Sequence, residues 1–458
     1  MEQFQTIIQK QQQFFNTGQT FSFDFRVAQL KKLKSLIIQH ENAIVAALKK
    51  DLNKPSTEAL LQEVWFVLQE IDFLLKHLKK WMKPKKVRTP LFLQLATSSI
   101  HFMPYGSSLI IGAWNYPFSL VFSPLVGSMS AGNCMLIKPS EYAEHTKNLI
   151  IDLINNHFDS HYLSAIDVPA NEMPMLLKEK FDHIFFTGGT QHGKIVMEAA
   201  AKHLTPTILE LGGKNPCIVD VSANIPFAAK RIVWAKTMNA GQSCIAPDYL
   251  YVHISRKQEL ITELKSLMKK FTDGTIQTST DYGRIINQHH FKRLTQLMQH
   301  GRIIEGGLTN EEKLFIAPTL IDEVSWQDPI MQQEIFGPLL PILTYENIDE
   351  VIQHIQPQPR SLALYLFTKS KDIENQIVQN IAFGNGSIND CVVQFVNVDL
   401  PFGGIGSSGM GKYHGYYSFE AFSYLKSIYK KKLLIDIQLD KPPYSETKQW
   451  CLKQIFKL

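Results

Sequence analysis

An α/β fold with parallel sheets is predicted by three features of this 458-residue chain. Strand-like runs alternate with helical patterns from Ser108 to Asn389, as parallel sheets with crossover helices require. From Thr89 to Ile137, 49 residues carry no Asp, Glu, Lys or Arg, so this stretch faces protein rather than water. Gly188 and Gly189 stand between the strand-like Phe185-Phe186-Thr187 and a helical pattern, a turn suited to such a fold.

Residues 1–82 read as helical. Ala28, Leu30, Leu33 and Leu36-Ile37 recur at helical spacing, as do Leu60, Val64, Phe66-Val67 and Leu74. Ser56-Thr57-Glu58 after Pro55 is a helix start. Residues 83–104 change character: a basic, Pro-containing run precedes strand-like residues from Phe92 to Phe102, which reads as a hairpin excursion. A strand follows at 108–111. Further strands are expected at 134–137, around 165–168, at 183–186 and at 207–209, with helices at 141–157, 171–179 and 191–202. A second series begins after Pro216. It has helices at 224–239, 256–271, 287–299, 347–355 and 371–378, and strands at 249–253, 302–305, 317–320, 363–368 and 387–389. Ser427–Leu434 is strand-like, and a polar tail with Pro442-Pro443 follows.

Length allows two to four domains at roughly 100–200 residues each. Basic residues number 47 and acidic residues 42, and the small, dispersed excess argues against nucleic acid as a partner. The five cysteines are odd in number, widely spaced and without a CxxC, so neither a disulfide framework nor a metal site is expected, and a reducing, cytoplasmic setting fits. The residues from Met1 to Gln13 do not resemble a signal peptide. The charge-free stretch is cut by Pro90, Pro104, Gly106, Pro117, Pro124 and Gly132, so no integral membrane anchor is expected.

Gly188 to Lys194 nearly spells a P-loop, but Ile195 stands where Ser or Thr would hold magnesium. The more informative segment is Asn239-Ala240-Gly241-Gln242-Ser243-Cys244-Ile245-Ala246-Pro247. Small and polar neighbours let a ligand approach Cys244, and a thiolate there would be a strong nucleophile. Cys134 and Cys217 sit among strand residues and read as packing. Glu210 and Glu334 lie beside apolar residues at strand ends, where a paired structural charge and a catalytic base are both open. Asn115, in the uncharged region, must find hydrogen-bond partners or serve as an oxyanion donor.

Seven motifs in register resemble the aldehyde dehydrogenase superfamily. They are Trp114-Asn115-Tyr116-Pro117, Lys138-Pro139-Ser140-Glu141, Phe186-Thr187-Gly188-Gly189, Leu209 to Lys214, Gly241-Gln242-Ser243-Cys244, Glu334 to Pro338, and Leu400 to Gly404. Phe14 to Gly18, Cys244 to Tyr249 and Gly409 to Gly415 bring the similarity closest to the class 3-like branch.

The resemblance implies a Rossmann-like dinucleotide-binding domain from 1–82 and 103–210, an α/β catalytic domain from 211–420, and a small β oligomerisation arm from 83–102 and 421–458. It further implies a homodimer. Its cofactor is NAD or NADP, and its substrates are medium- or long-chain aliphatic or aromatic aldehydes. By this resemblance Cys244 is the nucleophile, Asn115 an oxyanion donor, and Glu210 or Glu334 the hydrolytic base. Lys138 and Glu141 would hold the adenine ribose, with Gly188 beside the pyrophosphate and Glu334 and Phe336 at the nicotinamide ribose and ring. Trp114, Thr187, Glu210, Leu211 and Gly212 would complete the cofactor site. Gln394 stands where close relatives often carry His, which would alter specificity if it lines the substrate funnel. Two rivals remain: a CoA-acylating dehydrogenase, which Glu210 disfavours, and a catalytically silent dinucleotide-binding protein.

Overall fold

The computed structural model describes residues 2–90, 93, 95–272, 276–432 and 439–456. Two large sheets organise it. The first has six strands, in the order Gly409–Met410, Thr207–Glu210, His183–Thr187, Ser107–Ile111, Cys134–Lys138 and Leu163–Ala165. All neighbours run parallel except Gly409–Met410, which joins the edge antiparallel. The second has seven, in the order Arg302–Glu305, Thr319–Asp322, Leu339–Tyr345, Tyr249–His253, Pro216–Val219, Ala363–Phe367 and Asn385–Ile388. There only Arg302–Glu305 is antiparallel.

Burial on both faces explains the continuous apolar strands. Every residue of Ser107–Ile111, Cys134–Lys138 and His183–Thr187 is buried. The charge-free stretch has the same cause. Its helix, Ser119–Ala131, buries all thirteen residues. Helices Phe23–Gln39, Glu41–Leu52 and Trp65–Trp81 present Leu30, Leu33, Ile37, Leu48, Val67, Ile71 and Leu74 to the same core.

The basic excursion forms a hairpin, as its pattern predicts. Lys85–Val87 pairs antiparallel with Ala96–Pro104, and Ser423–Lys431 adds a third strand. Phe92, Leu433 and Leu434, which the sequence places in strands, lie outside the described residues. Three other expectations need correction. The helix expected at 171–179 shrinks to Met173–Leu176. The polar tail contains a helix, Glu446–Phe456. The strand Leu339–Tyr345 has no counterpart in the pattern reading, because Pro341 lies inside it. A strand proline is tolerated where no ladder needs its missing N–H. Here residues 339–341 pair with Thr319–Ile321, and the opposite neighbour is engaged only from Ile342.

Candidate active site

Parallel α/β sheets bind ligands beyond the carboxyl ends of their strands. The predicted residues gather there. Lys138, Thr187 and Glu210 each end a strand of the first sheet; Thr187 pairs with Glu210, and Ile111 pairs with Lys138 on one side and Phe186 on the other. Trp114 and Asn115 follow Ile111 three and four residues on.

Cys244 is held by a constrained loop. After helix Ile225–Thr237, three successive residues take the left-handed conformation: Asn239 (φ 48°), Ala240 (φ 53°) and Gly241 (φ 72°). Two non-glycine residues there store strain, which surrounding contacts must offset. Those contacts are present. The Gln242 amide donates to the Arg284 carbonyl at 2.8 Å and its oxygen accepts from the Ile286 N–H at 3.0 Å. The Asn215 amide donates to the carbonyls of Cys244 (2.8 Å) and Ala246 (3.0 Å), while its oxygen accepts from the Ala363 N–H at 2.8 Å. The Tyr365 hydroxyl donates to the Ile245 carbonyl. Cys244 remains partly open, whereas Cys134, Cys217 and Cys391 are buried.

Asn115 reaches this loop directly. Its side-chain amide donates to the Gln242 carbonyl at 3.1 Å, two residues before the cysteine. That uses one of its two amide hydrogens and leaves the other to meet an oxyanion.

Both glutamates lie within electrostatic reach of Cys244. Burial pushes the Cys244 thiol up, and the Glu334 and Glu210 carboxylates push it the same way. Burial also raises Glu210 far above the ordinary carboxyl range, opposed by the Lys412 ammonium. Among the described residues neither Glu210 carboxylate oxygen has a hydrogen-bond partner. Glu334 is held differently. It accepts from the Gly213 N–H at 3.1 Å. Its carboxyl is raised to about 8 by burial and by Asp248, against the Gly213 bond, Arg293 and Lys214. Glu334 lies not at a strand end, as its apolar neighbours predict, but in the loop between helix Pro329–Gln332 and strand Leu339–Tyr345, and the Arg293 guanidinium fixes that backbone, donating to the carbonyls of Glu334 (3.2 Å) and Ile335 (2.6 Å). Asp248 accepts from the Ile335 N–H at 3.0 Å and from Lys214 at 2.6 Å.

The surroundings fit a dinucleotide. Helix Thr190–Ala201 opens without a side-chain cap at Gly189, so its free N–H groups can meet phosphate. The buried Thr187 hydroxyl beside it has no partner among the described residues. Lys138, at the end of the strand two places across the sheet from His183–Thr187, pairs with Glu141. Trp114 meets Phe336 edge-on, with ring centroids 5.2 Å apart. Phe336 itself takes φ 50°, a strained value for an aromatic residue. The backbone at Leu211 is fixed by its N–H, which donates to Ser408 at 3.1 Å.

Gly212 must be glycine for a steric reason. A Cβ there would collide with both carboxylate oxygens of Glu334. Since the obstacle is the end of a side chain, the fold would survive by displacing Glu334. Gly212→Ala is therefore expected to leave the chain folded while raising KM for the dinucleotide about 5- to 150-fold, the factor for about 1–3 kcal/mol of strain that falls on the cofactor-bound state. Steady-state kinetics at varied cofactor concentration checks this.

The sequence reading missed several positioning groups. Asn215 directly follows the Leu209 to Lys214 motif, and a polar residue just before Pro216 was the available signal. Asp248 sits in the Cys244 to Tyr249 run. Arg293 lies in an ordinary amphipathic helix, Gln288–Leu297, and carries no sequence signal. Gln394 is engaged by hydrogen bonds. Its amide donates to the Tyr365 hydroxyl (3.2 Å) and to Asn385 (2.8 Å), and its oxygen accepts from Ser387 (2.7 Å). It thus supports Tyr365, which grips the residue after Cys244.

The sequence matches the family described as "Aldehyde dehydrogenase family" over residues 1–428. It is 45% identical over 446 residues to the 4,4'-diaponeurosporen-aldehyde dehydrogenase of Staphylococcus aureus, covering 97% of each chain. It is 41% identical over 439 residues to the dimeric NADP-preferring aldehyde dehydrogenase of Canis lupus familiaris, covering 96% of this chain and 97% of that one. The solved structure of Staphylococcus aureus AldH in its substrate-bound state superposes with a TM-score of 0.96 at 44% identity, covering 99% of each chain. The chain belongs to the aldehyde dehydrogenase family, in its class 3-like branch, and is an NAD(P)-dependent oxidoreductase acting on aldehydes.

Proposed function

We propose that the chain oxidises medium- to long-chain aliphatic or aromatic aldehydes to carboxylic acids through a thioester on Cys244. The observation that carries this is the convergence of Asn115, Glu210 and Glu334 on one partly open cysteine. The Cys244 thiol gives up its proton to solvent at its partly open face, its sulfur bonds to the aldehyde carbon, and the carbonyl oxygen becomes an oxyanion. The second Asn115 amide hydrogen and the Cys244 backbone N–H receive it. A preorganised donor of this kind is worth about 10²–10³ in rate. The chemistry that NAD(P)⁺ supplies when bound is hydride acceptance. Lys138, Glu141, Thr187, Gly188 and the free amides of helix Thr190–Ala201 would hold it, with Trp114, Glu334 and Phe336 toward its nicotinamide end. Loss of the hydride leaves a thioester on Cys244. Glu210 then takes a proton from the water that attacks the thioester carbon, and the carbon–sulfur bond breaks. Glu210 suits this role better than Glu334, because among the described residues neither of its oxygens has a hydrogen-bond partner, while Glu334 is tied to Gly213. A positioned base also favours water over CoA as the acceptor.

The substrate class rests on an aromatic wall. Phe66 stacks on Phe395 at 4.3 Å, and Phe395 and Phe402 meet at 5.2 Å. Gly403, next to Phe402, lies against the Glu210 carboxylate. Phe66 and Phe402 are buried while Phe395 is partly exposed, so Phe395 is the ring of this cluster that a hydrocarbon chain would meet. Among the described residues no helix is long and apolar enough to cross a membrane. The three-stranded antiparallel sheet, with Tyr424, Leu425, Ile428 and Tyr429 exposed on its edge strand, would serve as the arm of a homodimer. Cofactor reduction should be followed with aldehydes of increasing chain length, 4,4'-diaponeurosporen-aldehyde included, and with NAD and NADP in parallel. kcat/KM is expected to rise with apolar length, by about tenfold for every two buried methylene groups. A preference for short polar aldehydes would overturn the substrate class.

A further inference from the structure

Behind Asn115 lies an ion pair that the reaction does not touch. Lys54 and Glu63 are both fully buried and pair with each other. Burying two charges is costly, and a pair is weak evidence for stability by itself. What each atom contacts is therefore informative. The Lys54 ammonium donates to the Asn115 backbone carbonyl at 3.1 Å and lies 4.0 Å from the centre of the Tyr116 ring. The other Glu63 oxygen accepts from the N–H groups of Phe118 (3.0 Å) and Ser119 (2.9 Å). These amides open helix Ser119–Ala131, where a carboxylate is favoured. The pair thus clamps the Asn115–Ser119 segment at both ends.

The same carbonyl joins the clamp to the cysteine loop. Asn115 O also accepts from the Asn239 side-chain amide at 2.8 Å. Asn239 is the first of the three left-handed residues, and its own N–H donates to Glu58 at 2.9 Å. One backbone oxygen is therefore shared by Lys54 and by the strained turn that presents Cys244.

We propose that Lys54, held by Glu63, is a positioning residue for aldehyde oxidation: it fixes the Asn115 carbonyl and so aims the Asn115 amide at the oxyanion formed over Cys244. This rests on the oxyanion role of Asn115 proposed above. The test is a double-mutant cycle between Lys54→Met/Glu63→Gln and Asn115→Ala. The paired substitution removes both charges together, nearly keeps volume, and leaves an amide oxygen in place of the carboxylate to cap the helix N–H groups. The first-turnover rate of NAD(P)H formation is expected to fall about 10- to 100-fold, as for a misplaced rather than deleted transition-state donor. In the Asn115→Ala background the same change is expected to cost less than about threefold, because the group it positions is gone. Alkylation of Cys244 by iodoacetamide, which builds no oxyanion, is expected to keep its wild-type rate. A general loosening of the cysteine loop would slow both reactions. If the paired variant fails to fold, Lys54→Leu/Glu63→Gln carries the same cycle, since it too removes the Lys54 donor, keeps the helix capped and leaves no unpaired charge in the core. Undiminished turnover, an equal loss in the Asn115→Ala background, or parallel loss of alkylation would overturn the proposal. Asn115→Ala with wild-type activity would overturn the oxyanion reading itself, and this inference with it.

Discussion

Cys244→Ala is expected to abolish NAD(P)H formation from every aldehyde while dinucleotide binding and thermal stability persist. Losses on the order of 10⁶-fold follow deletion of a catalytic nucleophile in other enzymes. No other thiol is placed to substitute. Cys134, Cys217 and Cys391 are buried in the cores, and Cys451 lies in the C-terminal helix Glu446–Phe456. The structure also explains why the loop should survive the change. Its fixed points are Gln242, Asn215 and Tyr365, and their partners are backbone groups rather than the sulfur. The measurement is the cofactor reduction assay beside a dinucleotide titration. Residual turnover near wild type would remove Cys244 from the mechanism. Loss of both turnover and dinucleotide binding would make the residue structural. Cys244→Ser separates chemistry from packing further, because its hydroxyl fits the space but is the weaker nucleophile at neutral pH.

The reacting groups were legible in the sequence because each sits in a short local motif. Cys244 follows Gly241-Gln242-Ser243, and Glu210 precedes Leu211-Gly212-Gly213. The groups that hold them were not. Lys54 and Glu63 belong to a helical region where charged residues ordinarily face water. Only the tertiary fold shows both fully buried, with the Lys54 ammonium on a carbonyl 61 residues away. The turn at Asn239-Ala240 was hidden for another reason. Neither residue must adopt a left-handed backbone, so its composition does not announce one. At the level of elements, amphipathic helices were readable because their periodicity is local. Leu339–Tyr345 was not, since its proline is excused by the register of a neighbouring strand.

Glu210→Gln is the change that separates the two half-reactions. With Cys244 and Asn115 intact, the first turnover should proceed and the thioester should then persist. The expected result is one NAD(P)H per active site in a burst, followed by turnover reduced about 10²- to 10⁴-fold, the usual range for loss of a general base. The pH dependence has a definite sign. Burial places the Glu210 carboxyl well above the ordinary range, so it keeps its proton to a higher pH than an exposed carboxyl does. It accepts a proton only once ionised. Where hydrolysis limits the rate, turnover should therefore climb about tenfold per pH unit below the Glu210 pKa. Stability runs the other way. The folded state keeps a proton that the unfolded chain releases near the ordinary carboxyl pKa of about 4.3. Stability from this group is fully present below that pH and is lost as pH rises through the folded pKa. Glutamine has no such cost, so the melting temperature of Glu210→Gln should exceed wild type by a margin that widens from about pH 4.3 upward. Glu334, whose carboxyl is raised to about 8, provides the contrast. If Glu210→Gln retained steady turnover without a burst and Glu334→Gln showed the burst instead, the base would be Glu334. The free oxygens of Glu210 would then mark a place for water that the reaction does not use.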